Sequence, residues 1–194
     1  MGWDVELQDR KTGDTLTLKH PFYKRGSNVR ADVGQDGRLY QIEESEADLS
    51  ITFNYAPYYY EAGNLDDRFL VTEDGETKNG GLRALHGKSA YESLSMLSDM
   101  IKRIQNKYQD ADGNWLETTH KKLVYYDENH REVKDFSEIV RGHYVSKEEL
   151  EYSVSEGATN DYWEATAANA ISSLTQMLHM ATDCLQQDCV WYVA

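Results

Sequence analysis

Apolar and polar residues alternate with a period of two at several places in the first sixty positions. Trp3, Val5 and Leu7 are separated by Asp4 and Glu6, and Leu16 and Leu18 by Thr17. Residues 39–42 resume the alternation, as does Leu49-Ser50-Ile51-Thr52-Phe53-Asn54-Tyr55. Successive side chains of a strand point to opposite faces, so this pattern predicts antiparallel strands with one buried and one wet face. Lys11-Thr12-Gly13-Asp14 falls between the first two runs and has hairpin-turn chemistry. Gly26, Gly34 and Gly37 punctuate the polar stretch that follows. Pro57 cannot donate to a ladder, so it is expected to end the last strand or to place it at an edge. Residues 58–88 read as irregular and polar.

At Ser89 the period changes. Ser89-Ala90-Tyr91-Glu92 is a capping box, in which hydroxyl and carboxylate each satisfy an orphan backbone N–H. Leu94, Leu97, Ile101, Ile104 and Tyr108 then recur every three or four residues, which predicts an amphipathic helix. A second long helix is expected from Asp161 or Thr166 to Gln187. Trp163, Ala167, Ala170, Ile171, Leu174, Leu178, Ala181 and Leu185 form its buried stripe, and Ala167 and Ala170 allow a close approach. Residues 190–193 read as a strand added to the sheet edge. Between the helices, residues 109–157 read as an insertion. Asp112-Gly113-Asn114 marks a turn there, residues 122–126 a strand, and boxes at Asp135 to Glu138 and Ser146 to Glu149 open short helices. The expectation is a single α+β domain over 1–194. An antiparallel sheet carries two long amphipathic helices on one face, with an inserted strand and short-helix segment.

Asp161-Tyr162-Trp163-Glu164-Ala165-Thr166-Ala167-Ala168-Asn169-Ala170 packs a start signal, a bulky anchor and a small-residue face into one stretch. It resembles the YWEAT-x-x-NA element that opens the last helix of small phage and prophage proteins. Gly2-Trp3-Asp4 and Ile51-Thr52-Phe53-Asn54-Tyr55 resemble that group's N-terminal Gly-Trp-Asp stretch and its ITYNY-like strand. The resemblance covers mainly the first sixty residues and both long helices. It implies a phage origin and, because the group has no assigned activity, no mechanism. The link between the two helices is much shorter in that group, so the 109–157 insertion is where this chain departs from it.

Composition narrows the function classes. The chain has 194 residues, 40% of them hydrophobic, with 14 Tyr and 4 Trp, which suits a globular domain with an aromatic-rich core edge. Thirty-four acidic residues against twenty basic ones give a net charge of −14. Such a surface repels phosphate backbones and anionic membranes, so no direct nucleic-acid or membrane binding is expected. A partner with a basic surface would instead be steered toward it, although solubility alone accounts for the same charge. No stretch approaches the roughly 20 apolar residues of a membrane span. Asp4, Glu6 and Asp9 argue against a signal peptide, and Cys184 and Cys189 read as reduced thiols. The expected location is the cytoplasm of the infected or lysogenic host cell.

Gly81-Leu82-Arg83-Ala84-Leu85-His86-Gly87-Lys88-Ser89 ends as a phosphate-binding loop does, but five residues separate the glycines where that motif needs four. The segment reads first as a helix cap. As an alternative, Arg83, Gly87, Lys88 and Ser89 form an anion site for a nucleotide-like ligand at a helix start, and Lys88→Ala would abolish stabilisation by that ligand. The six histidines lack metal-ligand spacing, and neither a metal nor a cofactor is implied. His179 reads as a packed core-edge residue. Glu43, Glu44, Glu46 and Asp48 precede a strand, and Asp66 and Asp67 lie in a loop. They read as a solvated face or, functionally, as a mimic of phosphates for a DNA-binding groove. Tyr58, Tyr59 and Tyr60 follow the strand ending at Tyr55, and at least one is expected at the surface. The leading expectation is an acidic, non-enzymatic interaction protein that binds a basic host factor, one handling nucleic acid or serving defence. The acidic surface, with Glu43, Glu44, Glu46 and Asp48, would supply steering, and Tyr58, Tyr59, Tyr60 and the 109–157 insertion would supply contacts. A small-ligand protein is the alternative, and a phage structural or assembly component a further one.

Overall fold

The first strand sets the architecture. Trp3, Val5 and Leu7 are buried while Asp4 between them is exposed, so β1 (Gly2–Asp9) has one dry face. Residues 2–24, 31–33, 35–37, 39–41, 44–73 and 76–194 are described by the computed structural model. After β1 come β2 (Thr17–Phe22), β3 (Ala31–Val33), β4 (Leu39–Gln41), β5 (Glu44–Glu46) and β6 (Asp48–Thr52), then α1 (Ala56–Gly63). β7 (Leu70–Glu73) and β8 (Glu76–Asn79) precede α2 (Ala90–Tyr108). β9 (Glu117–Tyr126), β10 (Glu132–Val133), α3 (Phe136–Val140) and β11 (Ser146–Ser155) follow, and then α4 (Ala167–Asp183) and β12 (Cys189–Val193).

The central antiparallel sheet has the order β12-β1-β6. Val5 lies opposite both Val193 and Leu49, Leu7 opposite Trp191, and Trp3 opposite Ile51. Residues directly opposite share a face, so the three alternations superpose into one apolar layer. The helices α2 and α4 join that layer in a single core through Leu97, Met100, Ile104, Leu174, Met177 and Ala181. The α+β expectation therefore holds, with both long helices and the strand at 190–193 where the periodicity places them. The Ser89 box closes as drawn from sequence, with Ser89 N–H donating to Glu92 Oε2 at 2.8 Å and Glu92 N–H to Ser89 Oγ at 3.2 Å.

Several local expectations are corrected. Residues 58–88, read as irregular, hold most of α1 and the β7–β8 hairpin, and the last helix ends at Asp183, short of Leu185 and Gln187. The strand at 49–55 stops at Thr52, whose hydroxyl accepts the Asn54 N–H at 3.2 Å and turns residues 53–55 into a 3-10 helix. Pro57 then opens α1 instead of ending a strand, because a first helical turn does not need its N–H. Ser146 to Glu149 begins β11 and not a helix: ten consecutive pairs with β9 outweigh the local capping signal. Trp163 lies outside the last helix and is 48% exposed. The helix begins after Thr166, whose hydroxyl accepts the Asn169 N–H at 3.2 Å.

The residues resembling the phage element act as structural glue. Tyr162 donates its hydroxyl to Ser50 O at 2.8 Å. The buried Asn169 amide ties together Thr159 Oγ1, Asp161 O and Glu164 O at 2.9–3.2 Å.

Candidate functional site

The Gly87-Lys88-Ser89 turn is already filled from within. The Glu92 carboxylate takes the Ser89 N–H, and Gly87 N–H and Lys88 O bond Trp191 of β12 at 2.8 Å each. The bonds from the Ser89 N–H and hydroxyl hold the Glu92 carboxyl below its ordinary value. Arg83 is exposed on a 3-10 turn and Lys88 is half-buried beside the cap. The helix dipole at this start thus faces an anion belonging to the protein itself.

Glu43 lies outside the described residues, and Glu44 contributes backbone pairing to Phe22 of β2. Glu46 is exposed and pairs with Thr17. Asp48 forms an ion pair with Lys24, which is buried, and so serves the fold. The tyrosines separate by helical geometry. Tyr58 and Tyr59 enter the core from α1, while Tyr60 stays at the surface, 38% exposed, as the expectation of one exposed tyrosine required. Tyr59 donates to Ala170 O at 3.0 Å, across the close approach that the small residues of α4 permit. Burial pushes its hydroxyl pKa well up.

Sequence reading passed over Glu156. Its side chain is fully buried where β11 returns to the body. Oε2 accepts from Tyr58 Oη at 2.8 Å and from Ala167 N at 2.7 Å. Oε1 accepts from the Thr118 hydroxyl and is 2.9 Å from His120 Nε2. Burial raises the carboxyl, but the bonds from Thr118, His120, Tyr58 and the first N–H of α4 outweigh it and hold the pKa below its ordinary value. On the Tyr58 side, burial and the Glu156 carboxylate push the phenol up. One carboxylate thus joins α1, β9 and the start of α4. In the sequence Glu156 is one carboxylate among many, with no periodicity to mark it.

Beyond that joint the 109–157 insertion forms an arm with the strand order β10-β9-β11. Only Val124 on the strands of this arm is buried among the described residues. Leu123, Phe136, Val140, Val145 and Tyr152 are exposed along it, Phe136 at 75%. Between 109 and 157 there are twelve acidic residues against six basic ones. The arm therefore concentrates exposed apolar area inside a negative field.

Two other features lie on the body. A groove of about 260 Å³ between α1 and α2 is lined by Tyr58, Leu65, Arg103, Ile104, Lys107 and Tyr108 among others. Its charges are internally matched: Lys107 pairs with Glu61, and Arg103 reaches Asp66 at 3.1 Å. On the far side, Asp183 binds His20 Nδ1 at 2.5 Å and the His20 N–H at 3.1 Å. His179, expected as a packed core-edge residue, is instead exposed, with its ring 4.6 Å from that of Phe22 and its Nε2 3.0 Å from His20 O. No cluster of three or more metal-ligating side chains exists among the described residues. No helix among them is long and apolar enough to cross a membrane. Comparison with family models, curated proteins and solved structures returns no match.

Proposed function

We propose that this chain is a phage-type, non-enzymatic interaction protein that binds a host protein with a basic surface, and that the inserted arm makes the contact. The observation that carries the reading is the arm itself. Its strands and tip hold exposed Leu123, Phe136, Val140 and Tyr152, none of which belongs to the core cluster of the body. Leu123 and Tyr152 lie on opposite faces of the arm sheet, so both faces present exposed apolar side chains among charged ones, a composition that suits a recognition surface. The surplus of carboxylates between 109 and 157 supplies steering toward a cationic partner. Tyr58, Tyr59 and Asp48 belong to the fold in this reading, and Glu46 and Tyr60 remain available for peripheral contact.

The test replaces 127–145 with a two-residue Asn-Gly turn. Tyr126 and Ser146 face each other across β9 and β11, so the hairpin closes without disturbing Glu156. Tagged full-length and shortened chains are then used to capture proteins from host lysate, with elution in rising salt. A basic host protein released by moderate salt from the full chain, and weakly held by the shortened one, supports the reading. Equal capture by both removes the arm tip from it. A co-purifying nucleotide without a protein partner favours the small-ligand alternative, and large self-assemblies favour the assembly component.

A further inference from the structure

The strand β11 is the last in its sheet and pairs with β9 over ten consecutive residues without a register shift. Its other edge has no strand or loop bonded to it among the described residues. Alternate residues there direct N–H and C=O groups outward over roughly 34 Å, at about 3.4 Å per residue. The outer edge of β12 is treated differently. Trp191 exchanges backbone bonds with Gly87 and Lys88 at 2.8 Å, and the Val193 N–H is taken by His86 Nδ1 at 3.1 Å. A long, regular, uncovered edge is a template for a further strand, and β11 has neither a proline nor a bulge to blunt it.

Its side chains restrict which strand can join. One face carries Glu149 and Glu151, which share the ammonium of Lys121 at 2.8 and 3.7 Å. On that face Glu117, Glu149 and Glu151 stand against Lys121 and Lys147, which leaves one net negative charge. The other face carries Leu150 and Tyr152, with Lys122 5.8 Å from the Tyr152 ring centre. A second copy of β11 would bring Glu148, Glu149 and Glu151 with only Lys147, so a strand rich in basic residues matches this edge better than self-pairing does.

Resting on the interaction reading above, we infer that the outer edge of β11 takes up an extended segment of the partner protein by strand addition. That segment alternates basic with apolar residues. Its lysines or arginines meet Glu149 and Glu151, and its apolar residues continue the Leu150 and Tyr152 face. Backbone bonds would supply affinity and the two faces register.

The probe is a capped eight-residue peptide of alternating lysine and valine, titrated into the full-length chain. Two versions are N-methylated, one on each alternate set of residues. Methylation removes the N–H but keeps the charge, so strand addition is disrupted by only one of the two sets. The expected result is loss of about tenfold or more in affinity for one version and little for the other. Alternate amides within 146–155 should slow in hydrogen exchange on peptide binding, and Glu149→Gln with Glu151→Gln should weaken the parent peptide. Equal binding of both methylated versions overturns strand addition and leaves an acidic adsorbing surface, with the interaction reading intact. No binding of the parent peptide overturns strand addition as well. Failure of the interaction reading itself registers separately, as absence of any basic protein in the lysate capture.

Discussion

Glu156→Gln tests the joint between arm and body. The substitution keeps size and shape but removes the charge that four donors face: Tyr58 Oη, Ala167 N, the Thr118 hydroxyl and His120 Nε2. The amide oxygen can keep one pair of donors. Its NH2 group then confronts the other pair; the Thr118 and Tyr58 hydroxyls and the His120 ring can rearrange to accept from it, but the Ala167 N–H cannot. A hydrogen bond to a charged group contributes ~1.5–3 kcal/mol and a neutral one ~0.5–1.5, so each weakened bond costs about 1 kcal/mol. Easier burial of a neutral amide offsets part of this, leaving a net loss of about 2–4 kcal/mol. In a chain of this size that corresponds to a fall in Tm of roughly 5–15 °C.

The assay is thermal and urea unfolding of wild type and variant from pH 7 down to pH 3, with limited proteolysis of the arm in parallel. The folded carboxyl lies below its ordinary value, so its stabilisation is full above the unfolded pKa, about 4.3, and fades as pH falls through the lower folded value. The gap between the two proteins should therefore close in acid, and the arm of the variant should be cut sooner at pH 7. A variant as stable as wild type at neutral pH, or a gap unchanged by acid, would refute the account of Glu156 as a charged joint.

Ser89→Ala removes the cap hydroxyl of α2 and should cost about 1 kcal/mol in urea unfolding; no change would mean that the Glu92 carboxylate alone suffices. Asp66 bonds Arg68 at 2.5–3.1 Å and Arg103 at 3.1 Å, chiefly the Arg68 guanidinium holding its carboxyl down to about 2. Asp66→Asn should lower Tm at pH 7, with the deficit shrinking as wild-type Asp66 protonates toward pH 2; a deficit independent of pH would exclude the charge as its source. Burial pushes the Cys184 thiol up to about 12 and raises Cys189 as well. Both should resist iodoacetamide at pH 8 in the folded protein and react readily in denaturant, and quick labelling of the native chain would contradict their burial.

The alternation of Trp3, Val5 and Leu7, the stripe from Leu94 to Tyr108 and the small-residue face of the last helix were legible because each is a local periodicity answered by one core. The capping box even announced that the helix start at Ser89 carries its own carboxylate. Tertiary structure decided what rests on competition between local signals or on distant partners. Phe53-Asn54-Tyr55 continues a strand pattern, yet the Thr52 cap and Pro57 divert it into a helix that buries Tyr58 and Tyr59. Ser146-Lys147-Glu148-Glu149 has a helix-opening signature, yet pairing with β9 makes it part of an open-edged strand. Glu156 gathers donors from positions 58, 118, 120 and 167, and no spacing along the chain encodes that convergence. Periodicity reports which face of an element is dry; only the assembled chain determines which buried charges find partners and which strand edge is left without one.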